Sequence, residues 1–449
     1  QNATLAVNRS NTYILAQQIA GAGSLEQLGS GRLLITADNY DADNSTGLTG
    51  SVTATAGTLG VYHDEALGAG EVTLGSASGT VEVKLGRAVS DITNDITLAG
   101  DVSVSFDKSV EYLVVGGGGG GGGDNAGGGG AGGLLTGTAT ISTGEFDVTV
   151  GTGGVGGTSD SVGADGGHSK FGSLLASGGG GGATSSDDGS PGGSGGGGGG
   201  EGSGAEGVGG QGTTGQGNTG GRGYDDSGGG GGGAGSPGTD GASGNRSGLG
   251  GDGLYVAWAA QAGFGEDGYF AGGGGGGADN GDDPAQGFGL GGLGGGGNAG
   301  ISGGSVEDGL ANTGGGGGGG GYVSGQSAGD GGSGIVLVRY LGGSAATSSG
   351  TGATQGDGYE PAGTPGYTLH EFTATGGKTL TFDALAATFS GTISGADTNS
   401  FDLDASGGTV TLSGANTYAG DTSITGGTVE VISASGLGSG SAVTIADKA

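Results

Sequence analysis

The 449-residue chain contains 134 glycines but no cysteine and no methionine, and it sets 11 Lys+Arg against 44 Asp+Glu for a net charge of −33. Disulfides and thiolate metal sites are therefore excluded, and so acidic a surface repels a phosphate backbone, which argues against a nucleic-acid partner. Glycine has no strict Gly-X-Y period, which rules out a collagen triple helix, and the longest apolar stretches fall far short of the ~18–20 residues that span a bilayer.

From the amino terminus to residue 115 the chain is a series of short runs: "RLLITA", "SVTATAGTLGVY", "GEVTLG", "GTVEVKLG" and "NDITLAGDVSVSF". Apolar side chains alternate with polar ones in each, and Gly, Asn, Asp or Ser separates one run from the next, the pattern of half-buried strands joined by sharp turns. No window supports an amphipathic helix of useful length.

The strand "VEYLVV" at 110–115 runs directly into eight glycines. Runs of four or more lie at 116–123, 127–130, 178–182, 195–200, 228–233, 272–277, 294–297 and 314–321. A flexible linker is the default reading of such sequence. Ordering eight glycines costs on the order of 10 kcal/mol, and a lone run has nothing to offset that. Several runs side by side do, because backbones without side chains approach closely enough to exchange hydrogen bonds on all sides. The threefold extended helix, rising about 3.1 Å per residue, suits that packing. Aromatic residues bracket the runs, among them Trp258, Phe146, Phe171, Phe264, Phe270 and Tyr322. They are expected to clamp the edges of a glycine slab.

Strand character returns after residue 334, and the two flanks resemble each other. "GRLLITADNY", followed by "AGTLGVYHDEALGAGEVTL", aligns with "GTVTLSGANTYAGDTSITGGTVEVISASGLGSGSAVTI" at 408–445. A duplicated unit of strands and turns is the mark of a solenoid. Asn39 and Asn416 are expected to ladder at rung turns, with Tyr40 and Tyr418 stacking on their neighbours. Joining Ala449 to Gln1 regenerates the same strand-and-turn pattern, so the chain reads as one period of a longer array or as a subunit that stacks head to tail on copies of itself.

The wording of residues 408–431 resembles the passenger-associated repeat of bacterial autotransporters, whose repeats form an extracellular right-handed parallel β-helix. No membrane barrel accompanies it in this sequence. The stretch from "VEYLVVGGGGGGGG" through "TGEFDVTVGTGGVGG" and "HSKFGSLLASGGGGG" to "GGSGIVLVRY" resembles the glycine-rich domains of phage tail-tip adhesins and bacterial surface proteins. In those adhesins packed polyglycine helices carry receptor-binding loops at the tip. The segment "YTLHEFTATGGKTLTF" at 367–382 resembles one that usually precedes such a domain, yet here it follows. Together these readings predict an all-β protein with parallel β-helix (solenoid) flanks and an inserted domain of packed polyglycine II helices. The expected boundaries are β-helix at 1–109, glycine-rich domain at 110–342, linker at 343–366 and β-helix at 367–449.

Catalytic chemistry finds no support. His63, His168 and His370 lie far apart without ligand spacing, and the glycine loops lack the lysine-serine ending and strand-to-helix context of a phosphate cradle. "GGRGYDDSG" at 220–228 partly matches a calcium nonapeptide. Asp225 and Asp226, with Asp41 and Asp43 in "DADN", are thus the candidate metal ligands, with calcium as the one possible cofactor. Residues 1–20 lack the basic start and apolar core of a signal peptide, so any such signal is expected to have been removed. The expected product is an extracellular, non-catalytic structural protein of a surface fibre or filament, with no membrane span in this chain. The alternative is an adhesin that recognises surface glycans or a host receptor through loops 183–194, 201–227 and 278–293.

Overall fold

The structure is a computed structural model describing residues 3–39, 47–77, 79–202, 205–244, 246–278, 289–300, 305–321, 327–349, 353–396, 398–439 and 442–446. Both flanks build a single parallel solenoid. One row of strands runs Thr4–Val7, Ser24–Gln27, Val52–Ala54, Val72–Leu74, Ile96–Leu98 and Ile393–Gly395. A second row runs Thr12–Leu15, Arg32–Ile35, Gly57–Val61, Val81–Leu85, Val102–Phe106, Phe401–Leu412, Thr422–Val431 and Val443–Ile445. Leu385–Phe389 lies between Asp91–Ile92 and the second half of Phe401–Leu412.

The stack continues without a break across 278 intervening residues. Ile96 pairs in parallel with Ile393, and Val102 with Phe401, so the chain leaves the solenoid after Phe106 and rejoins it at Leu385. Alternation sends every second residue inward. Leu33, Ile35, Val61, Val83 and Val104 therefore share one core with Phe389, Phe401 and Leu403 from the far flank.

Asn39 and Asn416 do sit at rung turns, where each bonds the backbone of its neighbouring rungs. Asn39 accepts from Ile19 N–H at 2.7 Å and donates to Ala66 O at 2.7 Å. Asn416 repeats the arrangement with Ile393 N–H at 2.8 Å and Gly436 O at 2.6 Å. Each buried amide thus ties the rung before it to the rung after it. Tyr418 packs edge-on against Phe401 at 5.6 Å, whereas Tyr40 lies outside the described residues.

The excursion begins and ends in two antiparallel sheets of five strands. In one the order is Leu134–Thr140, Ser109–Val115, Ile335–Leu341, Tyr367–Phe372 and Ala353–Tyr359; in the other it is Leu174–Ala176, Ser169–Phe171, Gly144–Val150, Gly376–Phe382 and Ala346–Ser349. Val114, Val338, Tyr340 and Phe372 of the first pack against Val148, Phe171, Leu380 and Phe382 of the second. The opposite face of the first sheet, through Leu113, Val115, Ile335 and Leu337, is covered by Val256 and Ala259 around the short helix Ala257–Gln261 and by Phe270. Burial on both faces is why "VEYLVV" and "GIVLVRYL" read as continuous apolar runs.

The structure departs from the sequence reading at three points here. Residues 343–366, expected as a linker, carry the strands Ala346–Ser349 and Ala353–Tyr359. Residues 367–382, expected in the carboxy-terminal solenoid, pair instead with Ile335–Leu341 and Gly144–Val150 in the two antiparallel sheets. Phe146 and Phe171 do not clamp glycine: they lie 5.8 Å apart in the sheet-on-sheet region, with Phe382 5.8 Å from Phe146. Tyr322 is outside the described residues.

Candidate functional site

Residues 127–133 occupy the centre of the glycine-rich region. Their N–H groups donate to Gly180 and Ala183, to Gly229 and Gly232, and to Gly314 and Gly317. Their carbonyls accept from Gly119 and Gly122, from Gly197, and from Gly274, all at 2.8–3.0 Å. Six other segments therefore surround this one: 116–123, 178–183, 194–200, 228–233, 272–277 and 314–320. Those six bond to one another in turn, as in Gly179 to Gly117, Ala183 to Gly197, Gly229 to Gly198, Gly231 to Gly274, Gly316 to Gly272 and Gly317 to Gly119.

The partner segment changes at every residue and recurs at every third. Gly117 and Gly120 donate to Gly167 and Ala164; Gly118 and Gly121 donate to Gly332 and Gly329; Gly119 and Gly122 donate to Gly130 and Gly127. Successive residues thus face different neighbours, and along 117–122 no position is free for a side chain. A Cβ on Gly117, Gly118 or Gly119 would come within 1.9, 2.0 or 2.2 Å of the carbonyl oxygen of Thr152, Gly315 or Gly180. That is the physical reason for unbroken glycine. Seven of the eight runs in the sequence form this interior.

Eleven outer segments bond side by side around it, in the order 161–167, 152–157, 329–332, 307–310, 296–300, 289–293, 248–253, 236–241, 218–223, 207–212 and 187–193. One residue in three points outward there, so side chains return: Thr152 and Val155, Leu290 and Leu293, Leu249 and Asp252. Outer N–H groups that have no further segment to meet are taken up by acidic side chains. Asp330 Oδ1 accepts from Gly156 at 2.7 Å, Asp188 from Val208 at 2.7 Å, Asp240 from Arg222 at 2.8 Å and Asp252 from Leu293 at 3.0 Å. These four aspartates complete the hydrogen bonding of the rim.

Asp225 and Asp226 lie where this region turns, at φ 47° and 60° between Tyr224 and Ser227. Tyr224 and Ser227 exchange both backbone hydrogen bonds, at 2.8 and 3.0 Å, closing a two-residue turn whose left-handed positions Asp tolerates. Asp226 Oδ1 also accepts from Gly202 N–H at 2.6 Å. Asp41 and Asp43 lie outside the described residues. Among the described residues no group of three or more His, Asp or Glu is placed to hold a metal ion. His63 accepts from Glu65 N–H in a turn, His168 from Gly178 N–H, and His370 stacks on Tyr340, so the three histidines stand at three separate places. Of the recognition loops, 183–194 and 201–227 are in large part the outer segments 187–193, 207–212 and 218–223. Most of 278–293 is outside the described residues.

Sequence reasoning missed a cleft of about 270 Å³ at the seam between solenoid and excursion, lined by Arg32, Tyr62, Arg87, Asp107, Arg339 and Tyr367. Half of the chain's six arginines meet there, from positions too far apart in sequence to form any motif. Tyr62, packed against Gly60 and Gly86, donates to Asp107, and Arg32 approaches the same carboxylate at 3.6 Å. Burial pushes the Tyr62 hydroxyl well up, with the Asp107 charge adding to it. Burial alone would raise Asp107, but the hydrogen bonds from Tyr62 and Ser109 and the charge of Arg32 outweigh it and hold the carboxyl below its ordinary range. Burial lowers Arg87 to about 10; its guanidinium donates to Ser142 O and Lys108 O at 2.9 and 3.2 Å and lies 4.7 Å from the Phe382 ring. Arg339 pairs with Glu111 at 2.7 Å and lies 4.6 Å from the Trp258 ring and 4.0 Å from that of Tyr367. The contacts of Tyr62, Arg32 and Arg87 fix the excursion against the outer face of the solenoid, and those of Arg339 tie the excursion's own elements together.

Fold and site define an all-β solenoid protein interrupted by a glycine-rich module. Residues 96–341, more than half of the chain, match the glycine-rich domain, and the chain belongs to that family. Residues 405–431 match the passenger-associated-transport-repeat, which indicates a secreted or surface-exposed autotransporter passenger. Passenger β-helix domains are mostly non-catalytic, and neither match indicates a catalytic family. No curated protein and no solved structure matches the chain. Among the described residues no helix is long and apolar enough to cross a membrane.

Proposed function

We propose that this protein is a rigid structural element of a bacterial surface fibre: a solenoid shaft carrying a side-mounted bundle of polyglycine II helices. The observation that carries the bundle is the neighbour pattern, six segments around one, with partners recurring every third residue. A threefold helix projects successive residues at 120° intervals and so generates that pattern. Its mechanism is mechanical. Backbone hydrogen bonds in three directions give stiffness, and the acidic rim keeps copies apart. On this reading the module runs from 107 to 384, and residues 1–106 and 385–449 are one solenoid.

The outermost described rungs present unpaired parallel edges and exposed aliphatic side chains: Leu5 at 47%, Ile432 at 65% and Ile445 at 78% exposure. A further rung covers them, whether it comes from the same polypeptide or from a second copy. Electron microscopy of the purified chain at rising concentration tests self-stacking. Filaments with a constant axial repeat are expected, and monodisperse particles at high concentration would remove the assembly reading.

An adhesin is the second reading. It is favoured by the gathering of turns at the end of the bundle away from the antiparallel sheets, where Ser185 N–H bonds Asp124 O, Gly200 N–H bonds Asn125 O and Ser227 bridges Ala278. Exchange of these turns should abolish cell or glycan binding if it holds, and leave filament formation intact.

A further inference from the structure

The eleven outer segments surround a centre and an inner ring of six, and a second hexagonal shell has twelve places. Each outer segment bonds to the next from 161–167 round to 187–193, and there, among the described residues, the ring stays open. The open place lies over residues 177–181 of the inner ring, and a groove of about 420 Å³ opens at its Ser177–Gly178 end, lined by Asp165, His168, Ser177, Pro191, Gln211 and Thr213 among others. Gly178 and Gly181, three residues apart, aim their N–H groups toward this side. Where the inner segment 228–233 gives such donors, Gly230 and Gly233, to the backbone of 236–241, these two are taken by side chains: Gly178 by His168 Nδ1 at 2.9 Å and Gly181 by Asp165 Oδ1 at 2.8 Å.

We propose that this groove is a docking site for an extended partner peptide with glycine at every third residue, which completes the shell as its twelfth segment. The inference rests on the polyglycine II reading of the bundle. Donors three residues apart lie about 9 Å apart along a threefold helix, the spacing at which a second such helix repeats its carbonyls. The composition of the occupant follows from the other places at the angles of the hexagon, where a segment has three neighbours instead of six. Residues 236–241 hold such a place with the sequence Ser-Pro-Gly-Thr-Asp-Gly. Only Gly238 and Gly241 face inward there; a Cβ on Gly238 would lie 2.1 Å from Gly230 O, while Pro237, Thr239 and Asp240 are tolerated outside. Proline between the glycines also presets the extended backbone and lowers the ordering cost of docking. His168 and Asp165 act as removable stoppers: they satisfy the two donors while the groove is empty and swing out when peptide carbonyls replace them.

The test uses the full chain and three ligand or protein arms. An acetylated (Gly-Pro-Thr)5 peptide is titrated while the amide signals of Gly178 and Gly181 are followed by NMR, with (Ala-Pro-Thr)5 as control and with the variant Gln211→Trp, which fills the groove from an exposed position. The proposal expects saturable shifts at both amides, affinity at least about tenfold weaker for the alanine peptide, and loss of binding in Gln211→Trp. Absence of shifts at millimolar peptide, equal response to both peptides, or binding retained by Gln211→Trp overturns it. Concentration-dependent shifts of the same amides without peptide overturn the choice of occupant in favour of a second copy. Amide exchange across 116–133, measured on the same sample, separates the two failures: slow exchange with no peptide binding sinks the docking site alone, and fast exchange sinks the bundle on which it rests.

Discussion

Replacing Gly129 with alanine puts a Cβ 2.1 Å from Gly119 O and 2.7 Å from Gly119 C. The oxygen it meets is itself held by Gly317 N–H at 2.9 Å, so no flexible side chain is available to move aside. Relief requires the segments 116–123 and 127–133 to separate by about 1 Å, the shortfall from van der Waals contact. The Gly119 to Gly130 and Gly122 to Gly127 hydrogen bonds stretch with that motion. Overpacking costs about 1–3 kcal/mol and each weakened hydrogen bond about 1 kcal/mol, for a total of roughly 3–5 kcal/mol. Val155→Ala, at an outward position 66% exposed, should stay within about 0.5 kcal/mol of the parent. Urea unfolding followed by the fluorescence of Trp258, the single tryptophan, compares the two. Equal midpoints for Gly129→Ala and Val155→Ala would refute the argument that position 129 has no room for a methyl group.

Asn39→Ala and Asn416→Ala should each cost about 1–3 kcal/mol, because each strands a buried backbone N–H and carbonyl on adjacent rungs; denaturant midpoints of the two variants check this, and a loss in only one would break the claim that they are equivalent. Asp330→Ala should accelerate amide exchange at Gly156, while Asp330→Asn, which keeps an acceptor oxygen, should change it far less. The depressed Asp107 carboxyl contributes stability that is fully present above the ordinary aspartate pKa near 3.9 and is lost as pH falls through its lower folded-state value. Asp107→Asn should therefore be less stable than the parent at pH 7, with the gap closing below about pH 4, as read from thermal unfolding across pH.

Much of this architecture is written locally. Alternation in "GTVEVKLG" or "DVSVSF" is enough to place a strand and its inward face, and a duplicated Asn that bridges rungs is visible as a repeat. Unbroken glycine likewise announces a place where every direction is occupied by backbone. The strands Ala346–Ser349 and Ala353–Tyr359 were less accessible, since "ATQGDGY" carries two glycines and an aspartate and is held by its partner Tyr367–Phe372 rather than by its own preference. Segment 367–382 completes both antiparallel sheets although it follows the glycine-rich stretch, because a sheet position is set by which edges are open and not by chain order. The rim aspartates carried no local signal for a related reason: an aspartate among glycines shows only its charge until the neighbouring N–H it serves is known. The arginine seam, drawn from residues 32, 87 and 339, leaves no local signal at all.

The central claim, that polyglycine here is an ordered solid, is tested most directly by hydrogen exchange resolved to single amides over 116–133 and 314–320. The account predicts protection comparable to that of the buried strand Ile335–Leu341, greatest along 127–133 and falling toward the outer segments. Exchange of these glycines at the rate of an unstructured peptide, with Ile335–Leu341 still protected, would contradict it.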